Sequence, residues 1–410
     1  GNDWSWNTSY QHSETHLHEH YNSVQIVQNF ANAVDAVNVT AANVGSSGLT
    51  IGSIACRSSL ADPTNGCVPL NPMGLGVVSQ DAINYVEDHN DYYFLTMQED
   101  TARAGAQGVL PWDLTGAGAP AVAFGADYRK ETMVSTADPN GAIGALGGGN
   151  FIPISAEYNI MEGYGELDVP IIKNGFVQSL DGNMAGRITD YSTSGAVETW
   201  KLGLTSQIND DFRLRGTWSF DIRAPDLAEL YNDIPASGGQ VDYKTGVNQS
   251  TALSEAAGNP NLQPEKAVTF SAGIVLTPHW FPGLTMSVDA YSINVKNIVV
   301  ATSNAFEKTA CLAGTPTADG VASNPAGYNG TPGVATGYCA DWVYNPALVT
   351  NSNPNGLQFV YNYPLNNGYL KTSGLDFNAD YATDFLAGNL ALHLAGNYTD
   401  EETQTEFGVT

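Results

Sequence analysis

The feature that most constrains this chain is strict two-residue alternation, sustained over runs far longer than ordinary strands. From Asp211 to Arg223 the even positions read Phe212, Leu214, Gly216, Trp218, Phe220 and Ile222, and the odd ones Asp211, Arg213, Arg215, Thr217, Ser219, Asp221 and Arg223. Successive strand side chains point to opposite faces, so this run makes one apolar face and one polar face. The preceding run repeats it, with Trp200, Leu202, Leu204 and Ile208 opposite Thr199, Lys201, Thr205 and Gln207. Asn209-Asp210 between them reads as a two-residue hairpin turn. Val268/Phe270/Ala272/Ile274/Leu276, Leu375/Phe377/Ala379/Tyr381/Phe385 and Leu390/Leu392/Leu394/Tyr398 are further stripes of the same kind.

One apolar face per strand suits a soluble sandwich as well as a membrane barrel. Length separates them: these runs extend over about 12–16 residues, where soluble strands average nearer 5–6. Aromatic residues also gather near strand ends (Trp4, Trp6 and Tyr10; Trp218 and Phe220; Tyr381 and Phe385), as in interfacial girdles. The connections alternate. Long segments near 21–90, 224–264 and 299–366, and a loop with Gly147-Gly148-Gly149, fall on one side. Short turns at Pro111-Trp112, Lys173-Asn174-Gly175, Asn209-Asp210, Pro282-Gly283 and Ala387-Gly388 fall on the other, with Ser192 to Gly195 a short exception. Long loops outside and short turns inside are the layout of an outer-membrane barrel. The expected fold is therefore all-β, a transmembrane antiparallel β-barrel with long extracellular loops and short periplasmic turns. About eleven strands are legible, and bacterial single-chain barrels have even counts, so 1–410 is expected to be part of a larger barrel.

Charge excludes several functions. The chain has 15 Lys+Arg against 42 Asp+Glu, a net charge of −27, and no basic cluster for phosphate contacts, so nucleic acid is not an expected partner. Charged residues are nonetheless only 14% of the chain, against roughly 25% in soluble proteins. No G-x-S-x-G, H-E-x-x-H, G-x-x-x-x-G-K or EF-hand loop is present, so no catalytic residue, cofactor site or enzyme activity is expected. Cys56/Cys67 and Cys311/Cys339 form two local pairs without C-x-x-C spacing and read as loop disulfides formed in an oxidising compartment.

Three further groups carry possible chemistry. His12, His16, His18 and His20 share one strand face with Glu14; they are either a hydrated strip or, through His16, His18 and His20, a weak metal site. Arg213, Arg215, Asp221, Arg223, Asp376 and Asp380 lie on polar faces and would line the lumen. Trp342, Tyr344, Tyr361 and Tyr363, with Tyr328 and Tyr338, sit in a long loop and are candidates for an outer ligand-binding surface. Pro225 ends a strand after Arg223-Ala224, leaving Arg223 near enough to pair with Glu229.

Arg213 through Arg223-Ala224-Pro225, continuing to Leu227, Glu229 and Leu230, resembles the barrel signature of TonB-dependent outer-membrane receptors. Asn259-Pro260-Asn261-Leu262-Gln263-Pro264-Glu265-Lys266 resembles that family's "NPxLxPE" segment, Gly125 to Glu131 its "GxEYRxE" strand, and Thr372 to Asp376 its "TSGxD" strand. Cys56-Arg57 and Asn65 to Asn71 are similar to a loop of one large subgroup. The resemblance implies a 22-stranded barrel in the outer membrane of a Gram-negative bacterium, closed by a plug domain. The plug and the closing strands have no counterpart in these motifs. It also implies lipid contact and active uptake of a scarce solute (siderophore, cobalamin or oligosaccharide), energised by TonB with ExbB and ExbD. A passive porin-like channel and a soluble β-rich carbohydrate-binding protein are the alternatives.

Overall fold

The computed structural model describes residues 4–237, 239–249, 252–313, 338, 341–346, 355–386 and 388–406. Eleven strands form one antiparallel sheet in sequential order. They are β1 (Ser5–Tyr21), β2 (Asp91–Val109), β3 (Ala121–Ala137), β4 (Ser155–Lys173), β5 (Ser179–Tyr191), β6 (Gly195–Gln207), β7 (Phe212–Arg223), β8 (Glu265–Leu276), β9 (Leu284–Ala301), β10 (Pro364–Phe385) and β11 (Gly388–Glu406). The positions agree with those read from alternation, but the strands run from 12 to 22 residues, longer than expected. The cause lies above the apolar stripe. Pairing of β1 with β2 continues from His12↔Asp100 to Tyr21↔Asp91, where β1 is polar on both faces apart from Leu17 and Tyr21, and β2 supplies the apolar partners Tyr92, Tyr93, Phe94, Leu95 and Met97.

The outer face decides between barrel and sandwich. Leu204, Phe270 and Leu394, from β6, β8 and β11, keep 55%, 53% and 60% of their accessible surface. Trp6, Met161, Trp218 and Phe377 are likewise exposed, and among the described residues no second sheet covers them. A sandwich buries this face; an exposed apolar band across every strand is the surface a bilayer takes up.

The inner face is polar and depends on glycine gaps. Arg215, Gly273, Asp289, Asp376 and Asn397 occupy one row across five strands. Arg215 reaches over Gly273 to make a bidentate pair with Asp289, at 2.7 Å to Oδ1 and 2.6 Å to Oδ2. A Cβ on Gly273 would stand 1.9 Å from Asp289 Oδ1, so only glycine leaves the passage open. In the next sector, Arg187 lies over the Tyr164 ring at 5.3 Å from its centroid.

The turns obey local chemistry. Between β6 and β7 the two-residue reading needs one correction: Ile208 N–H donates to Phe212 O, so three residues, 209–211, lie inside the closing pair. Asn209 Oδ1 sets this width by accepting both Asp211 N–H and Phe212 N–H at 3.0 Å. At the Pro282-Gly283 turn, Gly283 has φ +88° and a Cβ there would lie 2.0 Å from Ala382 O.

We expect Gly273→Val to destabilise the sheet by about 1–3 kcal/mol through overpacking and loss of the Arg215–Asp289 pair. Gly163→Ala, where a Cβ meets nothing within 4 Å, should be close to neutral. Urea unfolding in detergent, followed by tryptophan fluorescence, measures both.

Candidate functional site: the lumen and the extracellular rim

At the rim, the Arg223-Ala224-Pro225 corner ends β7 and a short helix, Leu227–Tyr231, begins. Asp226 caps it: its Oδ1 accepts Glu229 N–H at 2.7 Å, and Glu229 Oε2 accepts Asp226 N–H at 3.0 Å. The Arg223 guanidinium donates to both Glu229 oxygens at 3.0 Å and to Glu265 Oε1 at 2.6 Å. Glu265 Oε1 also takes the Val299 N–H at 2.9 Å, so one arginine joins β7, the helix, β8 and β9. Leu227 and Leu230 fix the helix from below by packing among Met133, Tyr158, Ile160 and Leu262.

Asn259 extends the seam. Its N–H donates to Glu229 O at 2.9 Å and its Nδ2 to Pro364 O at 3.0 Å. Pro260 is exposed and Pro264 buried on the extended approach to β8. The arrangement makes these residues a mechanical junction between loops and wall, with no open position for a reacting group.

The 224–264 and 299–366 loops fold into each other. Asp233–Ser237, Leu253–Ala257, Leu357–Asn362 and Trp342–Tyr344 form a four-stranded sheet, in which 253–256 pair in parallel with 359–362. The expectation of a solvent-facing aromatic surface is corrected here. Trp342, Tyr361 and Tyr363 are 4%, 3% and 6% exposed and belong to the cores of this body, with Tyr338, Leu357 and Val360. Tyr344 is half-buried; its hydroxyl donates to Asp242 Oδ1 at 2.9 Å and Lys244 Nζ sits 3.5 Å from its ring centroid. Long loops must bury apolar area to offset the entropy of ordering them, and aromatic residues supply most of it. Tyr328 lies outside the described residues.

In the first long loop, Cys56 and Cys67 form a disulfide. Cys311 is also disulfide-bonded; Cys339 lies outside the described residues.

The histidines do not converge. His16 Nε2 meets Glu14 Oε1 at 2.7 Å and its Nδ1 meets Thr96 Oγ1 at 3.1 Å. His18 and His20 instead pack against Phe94, at ring distances of 4.8 and 5.1 Å. His12 pairs with Asp100 at 2.8 Å, beside the Tyr10 hydroxyl. Among the described residues no group of three His, Cys, Asp or Glu has metal-holding geometry.

The lumen residues are mostly tied to neighbours. Arg213 donates to Gln207 at 2.8 Å, Asn397 to Asp376 at 2.7 Å, and His393 meets Asp380 at 2.6 Å. Glu162, Tyr164, Arg187, Thr199, Lys201 and Asp221 line a recess of about 480 Å³ on this wall. A recess with both charge signs and an aromatic ring can hold a polar solute by hydrogen bonds and stacking.

Two buried acid pairs in the loop body have no counterpart in the sequence reading: Asp233 with Glu255, and Glu307 with Asp341. Burial raises Asp233, Glu255 and Glu307 above the ordinary carboxyl range, and the partner acid adds to the rise at Glu255 and Glu307.

Over residues 1–409 the chain matches the family described as "TonB dependent receptor-like, beta-barrel". The chain belongs to the TonB-dependent receptor family. No curated protein matches it in sequence. A mutant of the ferric enterobactin receptor PfeA from Pseudomonas aeruginosa, in complex with enterobactin, is 14% identical with a TM-score of 0.52, over 76% of this chain and 37% of that one. The siderophore receptor PirA from Acinetobacter baumannii is 12% identical with a TM-score of 0.43, over 77% of this chain and 53% of that one. The RagAB peptide transporter is 12% identical with a TM-score of 0.45, over 78% and 32%. The chain thus spans between a third and about half of these structures, and at such identities the likeness is one of fold. TonB-dependent receptors are outer-membrane β-barrels of Gram-negative bacteria that act in transport.

Two outcomes follow for the loop body. Trp342→Ala should cost about 3–5 kcal/mol of its local stability, read as faster protease cleavage within 224–264 and 299–366 while the barrel bands persist. The Asp233–Glu255 pair should make the body most stable in acid. The folded carboxyls titrate above their ordinary values of 3.8 and 4.5, so their contribution is complete below those values and is lost as pH rises through the raised ones. Cleavage rates at pH 5 and pH 9 should therefore differ in the wild type, and the difference should shrink in Glu255→Gln, where Glu307 still titrates above its ordinary range.

Proposed function

We propose that this chain forms part of the barrel wall of an outer-membrane receptor for TonB-dependent active uptake of a scarce solute. The family match along 1–409 carries the reading. The sheet supports it, with an apolar outer face for lipid, a polar recess inside, and loops folded over the extracellular end. Among the described residues, β1 and β11 each pair on one side only. Strand edges are not tolerated in hydrocarbon, so the working barrel needs further strands to close it. We take the whole to be about 22 strands with a plug, through which TonB, with ExbB and ExbD, would deliver energy.

A siderophore, cobalamin or oligosaccharide is the proposed class of solute; the ferric enterobactin complex of PfeA gives siderophores first place in a trial. The decisive measurement is uptake by cells expressing the full-length protein that contains this chain, with and without a protonophore. Active transport predicts accumulation of labelled ferric siderophore, cobalamin or oligosaccharide that falls to the level of a deletion strain when the proton gradient collapses. Uptake insensitive to the protonophore would instead assign a passive channel.

A further inference from the structure

The basic residues of the eleven strands are split unevenly between the two faces. Every strand arginine (Arg103, Arg129, Arg187, Arg213, Arg215 and Arg223) lies on the polar inner face together with Lys173 and Lys201, whereas the basic residues of the outer face are the lysines Lys130, Lys266, Lys296 and Lys371. Two of these lysines have carboxylate partners: Lys130 meets Glu157 at 2.9 Å and Lys371 meets Glu401 at 2.8 Å. Lys266 and Lys296 have none among the described residues, are both exposed, and stand directly opposite each other on β8 and β9. Like charges opposed across a strand pair weaken the pairing. In a chain with 42 acidic residues, leaving this pair without a counter-charge is a cost that invites an external anion.

Their height identifies that anion. Lys266 lies two residues beyond Val268 and four beyond Phe270, the last outward apolar positions of β8. Two residues span about 7 Å of strand, comparable to the ~5–7 Å headgroup layer on each side of the hydrocarbon. Tyr369, opposite Lys296, donates its hydroxyl to Asn294 at 3.0 Å, and Asn294 in turn stands opposite Lys371. Three ammonium groups and two polar side chains on adjacent strands thus border the upper edge of the apolar band.

We propose that Lys266 and Lys296, with Lys371 beside them, hold the phosphate of an anionic membrane lipid whose acyl chains lie on the apolar band below. A compact, rotatable ammonium on a long apolar stem suits this task, because the stem covers hydrophobic surface while the charge reaches the headgroup. The proposal rests on the outer face being the lipid-facing one.

The experiment separates the two levels. Flotation of the full-length protein that contains this chain with phosphatidylcholine vesicles tests the lipid-facing reading, and failure to float would remove both. With phosphatidylglycerol added, native mass spectrometry of the extracted protein should show that lipid retained in preference to phosphatidylcholine. Retention should fall about fivefold for each lysine lost in Lys266→Gln/Lys296→Gln, the worth of one basic residue at an anionic surface. It should hold in Lys266→Arg/Lys296→Arg and in Lys130→Gln, and should resist excess inorganic phosphate. In neutral detergent without lipid, Lys266→Gln should melt no lower than the wild type, which excludes misfolding as the cause of lost retention. Unchanged phosphatidylglycerol retention in the double glutamine variant, equal loss in Lys130→Gln, or displacement by inorganic phosphate would each overturn the proposal.

Discussion

Everything in this structure follows from one constraint: inside a bilayer no water is available to satisfy backbone N–H and C=O groups. The chain meets it with a continuous antiparallel ladder from β1 to β11 in which each strand pairs with the next in sequence. Once the ladder is fixed, period-2 geometry assigns every side chain to lipid or lumen. The low density of charged residues is the result, since half of each crossing can hold almost none. The lumen positions then have to be polar without being mutually repulsive. Rows such as Arg215–Gly273–Asp289 achieve this by setting an arginine and a carboxylate two strands apart with a glycine between.

The ladder ends at the rim, and there the burden passes to side chains. Arg223 serves three acceptors from two carboxylates, one of which also satisfies a β9 backbone group. Charge-assisted, bidentate contacts are the stronger class of hydrogen bond, and the apolar packing of Leu227 and Leu230 beneath holds the helix that presents Glu229. The junction thereby orients the 224–264 loop, which builds the outer sheet together with the 299–366 loop. A change at Arg223 would accordingly be felt in the loops before it was felt in the wall.

How much was legible in the sequence follows the same division. The eleven strands could be placed because alternation is a local signal, repeated at every crossing. The outer end of the longest was less accessible, because Pro364 to Asn366 of β10 lie in the segment that reads as loop. The loop body was also hidden. Its parallel pairing of Leu253–Ala256 with Phe359–Asn362 joins segments about a hundred residues apart, and no periodicity connects them. Trp342, Tyr361 and Tyr363 were therefore read as surface when they are interior. The Arg223–Glu229 contact was accessible from spacing, but the Glu265 arm was not, because it depends on which strand lies beside β7.

On these strands every arginine faces inward, whereas the outward basic residues are all lysines. An inward arginine meets a carboxylate directly opposite on the next strand, as at Glu265, or one strand further on, as at Asp289, and a planar fork with several donors spans either gap in fixed geometry. An outward side chain at the membrane border has a different task. It must lie along apolar surface and still deliver its charge to the interface, which a flexible stem ending in a compact ammonium does well. The excess of acid belongs to the lumen and loops, where partners and water can moderate it. The net charge of −27 thus conceals a local reversal, in which the outer face at the heads of β8 and β9 is positive. For a protein immersed in lipid, the sign of that border matters more to its nearest neighbours than the sign of the whole.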